Sequence, residues 1–320
     1  MNTQSGDSFP LDLSPPDIGR WADGNAGIAY VQSFEAARPG PHVLITALVH
    51  GNEICGAIAL DRLLREGIRP RRGRLSFAFV NVAAYACFDP AAPSASRFVD
   101  EDFNRLWSEE RLNGAADSVE RRRARDLRPL VDDVDLLLDL HSLQQDQEAL
   151  TLCGPLEKGL ALARTVGYPA VVVADAGHAT GTRLRDYGAF GDPASGRNAL
   201  LVECGQHWAE GTDRVALESC LRFLTATGTI EPGLAERFGL TETAPVQRVV
   251  QVTEAITVEG ESFVFAEDYH GMEIIPRAGT EIARSDGQAI VTPYDDCVLV
   301  MPSLRLRRGQ TAVRLGRLVA

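Results

Sequence analysis

Four apolar runs in the first two-thirds of the chain have the length and composition of buried β-strands. They lie at 43–49, 75–82, 136–142 and 199–203. Near-continuous apolar strands are typical of a parallel sheet that is covered on both faces. Segments with helical periodicity separate them, such as the one that begins near Ile54 and ends at Gly67. This alternation predicts an α/β fold with a mostly parallel sheet.

The remaining pattern predicts further elements before residue 240 and a different architecture after it. Helices are expected at 118–130, 156–166 and 213–227, and strands at 28–31 and 170–174. Beyond Pro245, short β-rich runs alternate with Gly, Pro and Asp, which is typical of a small all-β unit. We therefore expect two domains, an α/β domain at 1–240 and a small β-rich C-terminal domain at 241–320.

Side chains that bind metal ions or transfer protons follow three of the predicted buried strands. His50 and Glu53 follow the first strand, His141 lies at the end of the third, and Glu203 ends the fourth. Because ligands bind beyond the carboxyl ends of the strands in an open α/β sheet, we expect these side chains to converge. Two His and one Glu with an open fourth position are typical ligands of catalytic zinc, and Glu203 then serves as the general base.

Two further features bear on this site. Asp139 lies two residues before His141, so both side chains project from one face of the strand, and the carboxylate can orient a liganding imidazole. The segment 83–113 has no clean periodicity but is rich in charged and aromatic residues, and such long irregular segments are more often functional than idle. A His-x-x-Glu pair by itself is a weak indication, so the prediction depends on the three strand ends together.

Charge and composition exclude several functional classes. The 320-residue chain has a formal net charge of −12 and a pI near 5.0, which argues against a nucleic-acid partner. The basic run at 121–125 lies in a predicted helix and is interpreted as a solvated helix face. Lys158 is the only lysine, and Glu157 precedes it where a phosphate-binding loop needs Gly, so that loop is excluded.

The cysteines and the lengths of the apolar runs bear on the cellular compartment of the protein. The six cysteines show no C-x-x-C spacing and lie mostly in apolar runs, which is typical of buried thiols in a reducing environment. No apolar stretch approaches the ~20 residues needed to span a bilayer, and the N-terminus lacks the order of a signal peptide. We therefore predict a cytoplasmic protein without a membrane partner and leave homo-oligomerisation open.

Four motifs give the chain a family resemblance. They are VHGNE at 49–53, RFVDEDFNRLW at 97–107, DLLLDLHS at 135–142 and LLVECGQHW at 200–208. Their order and spacing make the chain resemble the succinylglutamate desuccinylase/aspartoacylase family, which shares the zinc carboxypeptidase fold. The resemblance implies a three-layer catalytic domain with a mostly parallel mixed sheet, followed by the small all-β domain.

The resemblance also implies the chemical role of individual residues. His50, Glu53 and His141 match the zinc ligands, which hold one Zn²⁺ per chain, and Glu203 matches the catalytic carboxylate. Arg97 matches the arginine that stabilises the oxyanion at the scissile carbonyl.

Three more residues of the loop motif have implied roles. Asn104 and Arg105 match the pair that binds the α-carboxylate of the substrate, which suits the planar fork of arginine. Asp102 is expected to orient this loop from outside the ligand set, as Asp139 is expected to support a liganding histidine.

The sequence departs from the family pattern where the family binds the substrate side chain. The family has an arginine for this purpose shortly before the catalytic glutamate, and a substrate-contacting tyrosine in the C-terminal domain. Several residues remain open for these roles, namely Arg183, Arg185, Arg197, Tyr187, Tyr269 and Tyr294. His178, His207 and His270 have no assigned role and are interpreted as loop or structural residues.

The resemblance predicts a zinc-dependent amidohydrolase that removes an acyl group, such as acetyl or succinyl, from an N-acyl amino acid. Zinc-bound water attacks the amide, with Glu203 as base and Arg97 at the oxyanion. One alternative is a metallocarboxypeptidase acting on peptides, which a peptide-length groove would favour. The other is a non-catalytic binding module, which the absence of bound zinc after metal-replete purification would favour.

Overall fold

A computed structural model of the chain describes residues 9–177, 180–240, 243–304 and 306–319. Strands and helices alternate in the first two-thirds of the chain. The strands are β1 (Val31–Glu35), β2 (His42–Ala47), β3 (Arg74–Phe79), β4 (Leu136–Leu143), β5 (Leu150–Leu152), β6 (Val171–Ala174) and β7 (Asn198–Gln206). The helices are α1 (Ile54–Arg65), α2 (Val82–Ala86), α3 (Glu109–Asn113), α4 (Val119–Asp133), α5 (Glu157–Val166) and α6 (Thr212–Ala226). Short 3₁₀ helices occur at Gly19–Trp21, Pro93–Ser96, Phe103–Arg105, Leu184–Asp186, Gly188–Phe190 and Leu234–Phe238.

The central sheet is mixed and mostly parallel, as predicted. Its α/β portion has the strand order β1-β3-β2-β4-β7-β5-β6. The four strands β3, β2, β4 and β7 run parallel to one another, and β5 runs parallel to β6. Strand β1 pairs with β3 and strand β5 pairs with β7 in the antiparallel direction. The carboxyl ends of β2, β4 and β7 therefore meet at one edge.

Helices cover both faces of this sheet, which gives the predicted three layers. Val43 and Ile45 of β2 belong to one core cluster with residues of α1, α5 and α6. Leu44, between them, faces the opposite side and belongs to a second cluster with residues of α4. This alternation follows from the twofold period of a strand. Because both faces are buried, the strands read as continuous apolar runs in the sequence.

The C-terminal region is entirely β in its regular structure. Its strands are β8 (Arg248–Thr257), β9 (Phe263–Phe265), β10 (Glu273–Ile275), β11 (Glu281–Ser285), β12 (Gln288–Val291), β13 (Cys297–Val300) and β14 (Thr311–Val319). Strand β8 pairs with β6 in the parallel direction, and β14, β13 and β10 follow it, so that eleven described strands form one sheet. Strands β9, β11 and β12 form a separate small antiparallel sheet. The domain division at residue 240 stays a prediction.

The irregular segment that carries Arg97 is anchored on helix α4. The buried Glu120 carboxylate accepts backbone N–H bonds from Val99 (2.7 Å), Asp100 (3.0 Å) and Glu101 (3.3 Å). Hydrogen bonds from three consecutive amides fix the path of the backbone between Arg97 and the rest of the loop. A loop without regular structure is thereby held in one position beside the strand ends.

The basic run at 121–125 is not the solvated face that the sequence predicted. Arg121 donates to the Glu101 carboxylate at 2.6 Å, so it also supports the loop. Arg123 donates to the carbonyl oxygen of Val80 at 2.8 Å, and Arg125 donates to that of Leu112 at 2.8 Å. Side-chain bonds to distant backbone carbonyls have no local sequence signal, which is why the interpretation was wrong for these three arginines. Among the described residues, no helix is both long and apolar enough to cross a membrane.

Helix α1 packs very closely on the sheet at Gly56. A Cβ atom at this position would lie 2.9 Å from Leu140 Cβ and 3.0 Å from Ala47 Cβ. Because α1 begins immediately after Glu53, this contact sets the height of Glu53 above the strands that carry the other site residues. Any larger side chain has to push the helix away from the sheet.

We expect Gly56→Val to destabilise the protein by about 2 kcal/mol or more, since overpacking a close contact forces backbone shifts. Urea unfolding followed by circular dichroism measures the effect. Gly196→Val is the matched control, because an added Cβ there meets no atom within 4 Å. Equal stability of the two variants would contradict the close packing of α1.

Candidate active site

The predicted site residues lie together at the carboxyl ends of three neighbouring strands. The chain leaves β2 through Leu48, whose φ of 61° turns the backbone so that His50 lies over the sheet edge. Glu53 follows as the residue that precedes α1. His141 of β4 and Glu203 of β7 are direct partners in the parallel register, so their side chains start from adjacent positions.

The Glu53 carboxylate is the centre of this cluster. Its Oε1 lies 2.7 Å from His50 Nδ1, and its Oε2 lies 2.8 Å from His141 Nδ1. All three side chains are buried, with exposed fractions of 2–3%. The backbone N–H of Ser142 also donates to Oε2 at 3.3 Å. One carboxylate therefore holds two imidazoles with both Nδ1 atoms turned inward.

A second carboxylate lies behind each imidazole. Asp139 Oδ2 is 2.9 Å from His141 Nε2, and Asp102 Oδ1 is 3.0 Å from His50 Nε2. Thr46 Oγ1 donates to the other oxygen of Asp139 at 2.6 Å. A carboxylate that accepts a hydrogen bond from Nε2–H keeps the lone pair on Nδ1, which is the tautomer that binds a metal ion.

The pKa values reflect this crowding of charges. Burial alone would raise the pKa of Glu53, but the neighbouring His50 and His141 outweigh it and hold that pKa well below its usual range. Burial opposes the charging of His141, yet Asp139 and Glu53 raise its pKa well above the ordinary value. In the same way, His50 and Arg97 overcome the effect of burial and keep the pKa of Asp102 low. The carboxylates of Glu53 and Asp102 are thus ionised at neutral pH.

The chemistry of this cluster fits a divalent cation. His50, Glu53 and His141 each offer one ligand atom within 4.8 Å of the others. The ionised carboxylates of Glu53 and Asp102, together with the carboxyl group of Asp139, surround the two imidazoles, and an uncompensated buried charge is costly. Two neutral His nitrogens and one carboxylate are the donor set of many catalytic zinc sites.

The positively charged side chain of Arg97 contacts three residues of this cluster. Its Nη1 donates to Glu53 Oε1 at 3.1 Å, and its Nη2 lies 2.9 Å from His50 Nε2 and 3.5 Å from Asp102 Oδ2. The backbone carbonyl of Arg97 accepts a hydrogen bond from the N–H of Gly51 at 3.1 Å, which ties the loop to the motif that carries His50. Its guanidinium lines the cavity at the edge of the cluster.

Glu203 faces the same cavity without joining the ring of histidine contacts. Burial raises its pKa to about 8; His141 opposes this shift, and the negative charge of Glu53 adds to it. Its Oε2 is buried and has no hydrogen-bond partner among the described residues. A buried carboxyl group beside a candidate metal site, with a pKa near neutrality, is suited to receive and return a proton.

Asn104 and Arg105 lie on the loop opposite the strand ends and both line the cavity. Asn104 Oδ1 accepts the N–H of Leu184 at 2.9 Å, so half of its amide is used to hold a neighbouring segment. Arg105 donates to the carbonyl oxygen of Asn104 at 2.7 Å, and burial lowers its pKa to about 10, which leaves it charged at neutral pH. Arg105 is therefore an available anion-binding group.

The residues left open for the substrate side chain have other contacts. Arg185 donates to the carbonyl oxygens of Cys153 and Ala199, and Arg197 lines a separate cavity at the amino ends of the strands. The Tyr187 hydroxyl donates to Asp132 at 2.9 Å. In the part of the chain that the structure describes, none of these three residues lines the cavity beside His50, Glu53 and His141.

The two tyrosines of the C-terminal region also lie elsewhere. The Tyr294 hydroxyl lies 2.5 Å from Thr253 Oγ1, and Tyr269 packs against Phe265 with ring centroids 6.1 Å apart. Arg183 does line the cavity, but it binds two carboxylates, those of Asp175 and Asp186.

The structure adds Arg314 to the cavity, a residue that the sequence did not indicate. It lies on β14, is 3% exposed and places its Nε 3.3 Å from Asp175 Oδ2. Arg183 binds the same carboxylate through both of its terminal nitrogens, at 2.8 and 3.1 Å. One aspartate is therefore shared by two arginines, and together with Arg105 they make this end of the cavity positive.

His207 also lines the cavity, which the sequence interpretation did not anticipate. Its ring Nδ1 lies 2.8 Å from Oγ of Ser142, the residue after the ligand candidate His141. The backbone N–H of His207 donates to the carbonyl oxygen of Leu143 at 2.7 Å. A His four residues after Glu203 was the only available signal. His270 does not line the cavity, and its backbone N–H donates to Glu273. His178 lies outside the described residues.

The whole constellation opens into one cavity of about 740 Å³. Its walls come from the strand ends, from the loop at 94–111, from the segment at 142–147 and from C-terminal residues at 301–303 and 307–314. The loop between β13 and β14 thus forms part of the wall, with Arg307 and Arg308 at its exposed side. A volume of this size accommodates a small molecule.

Comparison with known proteins identifies the family. A sequence profile of the succinylglutamate desuccinylase/aspartoacylase catalytic domain matches residues 39–224, which is more than half of the chain. No curated protein sequence matches this chain.

Solved structures share the fold at low sequence identity. Succinylglutamate desuccinylase from Vibrio parahaemolyticus is 19% identical, with a TM-score of 0.68 over 91% of this chain and 87% of that one. Succinylglutamate desuccinylase/aspartoacylase from Rhodobacter sphaeroides is 21% identical, with a TM-score of 0.63 over 91% and 89%. The ectoine utilization protein EutE (DoeB) from Ruegeria pomeroyi is 16% identical, with a TM-score of 0.61 over 97% of both chains.

These findings confirm the fold class, the family and the enzyme class that the sequence predicted. The profile covers every residue of the cavity that comes from the α/β portion, from His50 to His207. The chain belongs to the succinylglutamate desuccinylase/aspartoacylase family of hydrolases, which act on N-acyl amide bonds.

Proposed function

We propose that this protein is a zinc-dependent deacylase of N-acyl amino acids. The observation that carries the proposal is the meeting of His50, Glu53 and His141 with Glu203 and Arg97 in one cavity. These five groups come from four separate places in the sequence, and each has a defined use in amide hydrolysis. A structural histidine cluster would not need a buried carboxyl group and an arginine at its open side.

His50, Glu53 and His141 are the proposed ligands of one zinc ion. When bound, zinc supplies Lewis acidity toward the amide carbonyl and the attacking water. Asp102 and Asp139 orient the two imidazoles from behind and increase their basicity. The Thr46 hydroxyl fixes Asp139 in turn, so the liganding geometry is held by the sheet itself.

Glu203 and Arg97 are the proposed catalytic residues. Glu203 takes a proton from the attacking water and delivers it to the leaving amine nitrogen, which a pKa near the working pH favours. Arg97 stabilises the negative charge that develops on the carbonyl oxygen in the transition state, because its guanidinium is fixed at the cluster. Both groups act within a largely buried site, where electrostatic effects are stronger than in water.

The amino-acid part of the substrate is proposed to lie at the arginine end of the cavity. Asn104 and Arg105 bind the α-carboxylate, with Arg105 as the charged partner. Arg314 is proposed to bind a second carboxylate on the substrate side chain, because it shares Asp175 with Arg183 and faces the same cavity. This assigns to a C-terminal strand the role that the sequence left open.

A small N-acyl amino acid is favoured over a peptide as the substrate. Residues at 301–303 and 307–314 form part of the wall of a cavity of about 740 Å³, a volume that suits a small molecule. The full set of charged groups also weighs against a non-catalytic module, since unused buried charges would destabilise the fold.

Glu203→Gln should reduce kcat by about 10²–10⁴-fold while bound zinc is retained, because only proton transfer is lost. Amine release from a panel of N-acetyl, N-succinyl and N-formyl amino acids measures activity, and elemental analysis measures zinc. Glu148→Gln, a surface carboxylate paired with Arg248, is the control and should be fully active. Turnover retained in Glu203→Gln would exclude Glu203 as the base.

Asp139→Asn should weaken zinc binding by about 10–100-fold, since an outer carboxylate fixes the tautomer of a liganding histidine. Competition with a chromophoric chelator gives the dissociation constant. The matched control is Asp135→Asn at the other end of β4, where the carboxylate accepts the N–H of His42. If both variants bind zinc equally well, Asp139 does not support the ligand set.

Arg314→Gln should lower the preference for N-acyl glutamate over N-acyl glutamine by about tenfold or more, because a charge-assisted contact is lost. The two substrates differ in a single charge, so the ratio of their kcat/KM values isolates the side-chain contact. Arg308→Gln on the exposed loop serves as the control. An unchanged ratio would mean that Arg314 does not read the side chain.

A further inference from the structure

The cavity extends from the strand ends toward both faces of the central sheet. At the arginine end, Asn104 follows Phe103, which packs in the core cluster that contains residues of α4. His207 also lines the cavity, but the residue after it, Trp208, packs in the core cluster of α1 and α6 on the opposite face. A substrate whose amino-acid part lies beside Arg105 therefore directs its acyl part toward His207.

A β-bulge in β7 shapes this second end of the cavity. The register of β4 and β7 shifts after the pair His141–Glu203, because β7 has one more residue than β4 at this point. Gly205, within the bulge, has a φ of 107°, a conformation that favours glycine. A bulge changes the direction of the side chains that follow it. The imidazole of His207 lies beside Ser142 as a result, with 2.8 Å between Nδ1 and Oγ.

Gln147 lies at the same end of the cavity, and two glycines make room for it. An added Cβ at Gly205 would lie 3.8 Å from the backbone oxygen of Gln147, so the bulge is next to the segment that carries this residue. An added Cβ at Gly271, which precedes β10, would lie only 1.4 Å from Gln147 Oε1. The amide group of Gln147 therefore occupies space that is open only because residue 271 has no side chain.

The amide group of Gln147 lacks hydrogen bonds. Both of its polar atoms are buried, and neither has a hydrogen-bond partner among the described residues. Gln147 lines the cavity, and either orientation of its amide presents a donor group and an acceptor group side by side. A buried amide that stays unpaired destabilises the protein, so a ligand that supplies the complementary donor and acceptor binds favourably here.

The wall around Gln147 carries no ionic group. The cavity-lining residues of the segment at 142–147 are one serine, one leucine and three glutamines. An alkyl group placed against this wall would leave both polar atoms of Gln147 unpaired. A carboxylate has acceptors only, so it can pair with the donor of Gln147 but not with its acceptor. A primary carboxamide can pair with both.

We infer that Ser142, Gln147 and His207 form an acyl pocket, and that this pocket selects a short acyl group that ends in a primary carboxamide. The carboxamide forms two hydrogen bonds with the amide of Gln147, and Ser142 and His207 continue the polar wall toward the scissile bond. This inference rests on the proposed deacylase function and narrows its substrate class.

Three N-acyl glutamates with acyl groups of equal length test the preference. Their acyl groups are succinamoyl, with a carboxamide terminus, succinyl, with a carboxylate, and 4-methylpentanoyl, with an isopropyl group of similar shape. A second set, one carbon shorter, consists of malonamoyl, malonyl and 3-methylbutanoyl, and the set with the higher activity is compared. The carboxamide substrate should have a kcat/KM at least about tenfold above the other two, since a site that hydrogen-bonds its substrate rejects analogues without those groups.

Two variants connect the preference to Gln147. Gln147→Met keeps the length of the side chain without its donor and acceptor, so the three kcat/KM values should fall within about twofold of one another. Gly271→Ala should also lower the preference, because the added Cβ displaces the Gln147 amide, and it replaces Gln147→Met if that variant does not fold. The matched controls are Gln288→Met at an exposed position of β12 and Gly196→Ala, where an added Cβ meets no atom within 4 Å.

A carboxamide preference that the control variants keep and Gln147→Met removes supports the acyl pocket. Equal kcat/KM values for the three termini in the wild type, or a preference for the carboxylate or the isopropyl terminus, overturn it. So does a carboxamide preference that persists in folded Gln147→Met or, in its place, Gly271→Ala. If the zinc-loaded wild type releases amine from no N-acyl amino acid, including the acetyl and formyl derivatives, the proposed function itself fails, so the two failures are distinguishable.

Discussion

The site depends on the buried carboxylate of Glu53 and on its contacts with two imidazoles. Glu53 can be ionised at almost no exposure only because His50, His141 and Arg97 surround it. Its position is fixed by α1, which begins at the next residue and lies on the sheet through the glycine contact at Gly56. Glu53 therefore both precedes the helix that packs on the sheet and holds the two imidazoles of the site.

Much of this arrangement follows from local sequence. The buried strands are visible as apolar runs, and a parallel sheet brings their carboxyl ends to one edge, so His50, His141 and Glu203 were predicted to converge. Asp139 was predicted from the twofold period of the strand alone, and it contacts His141 as expected. The part of the cavity proposed to be catalytic is thus encoded in short segments whose spacing predicts where their side chains meet.

The rest depends on pairing between distant segments, which leaves no periodic signal. The short strands β5 and β10 carry too few residues to stand out, and nothing local indicates that β8 adds to β6. The same holds for side chains. Arg314 reads as one charged residue in a β-rich run, and only the pairing of β14 with β8 and β13 brings it beside Asp175. Glu120 reads as a surface acid on a helix, yet it is fully buried and holds three backbone amides.

The residues that local sequence predicts and the residues that only distant pairing brings to the cavity also differ in their proposed chemical roles. The groups proposed to bind zinc and transfer protons lie on the α/β framework, whereas Arg314 and the wall residues at 301–303 and 307–311 come from the C-terminal region. The chain carries a net charge of −12, yet arginines concentrate at this end of the cavity, so the field that a substrate meets there is set locally rather than by the whole protein. Because the C-terminal strands line the cavity but supply none of the candidate metal ligands, their side chains can change without removing a contact of Glu53 with its histidines. Under the proposed function, the framework would fix the reaction and the C-terminal strands would select which N-acyl amino acid undergoes it.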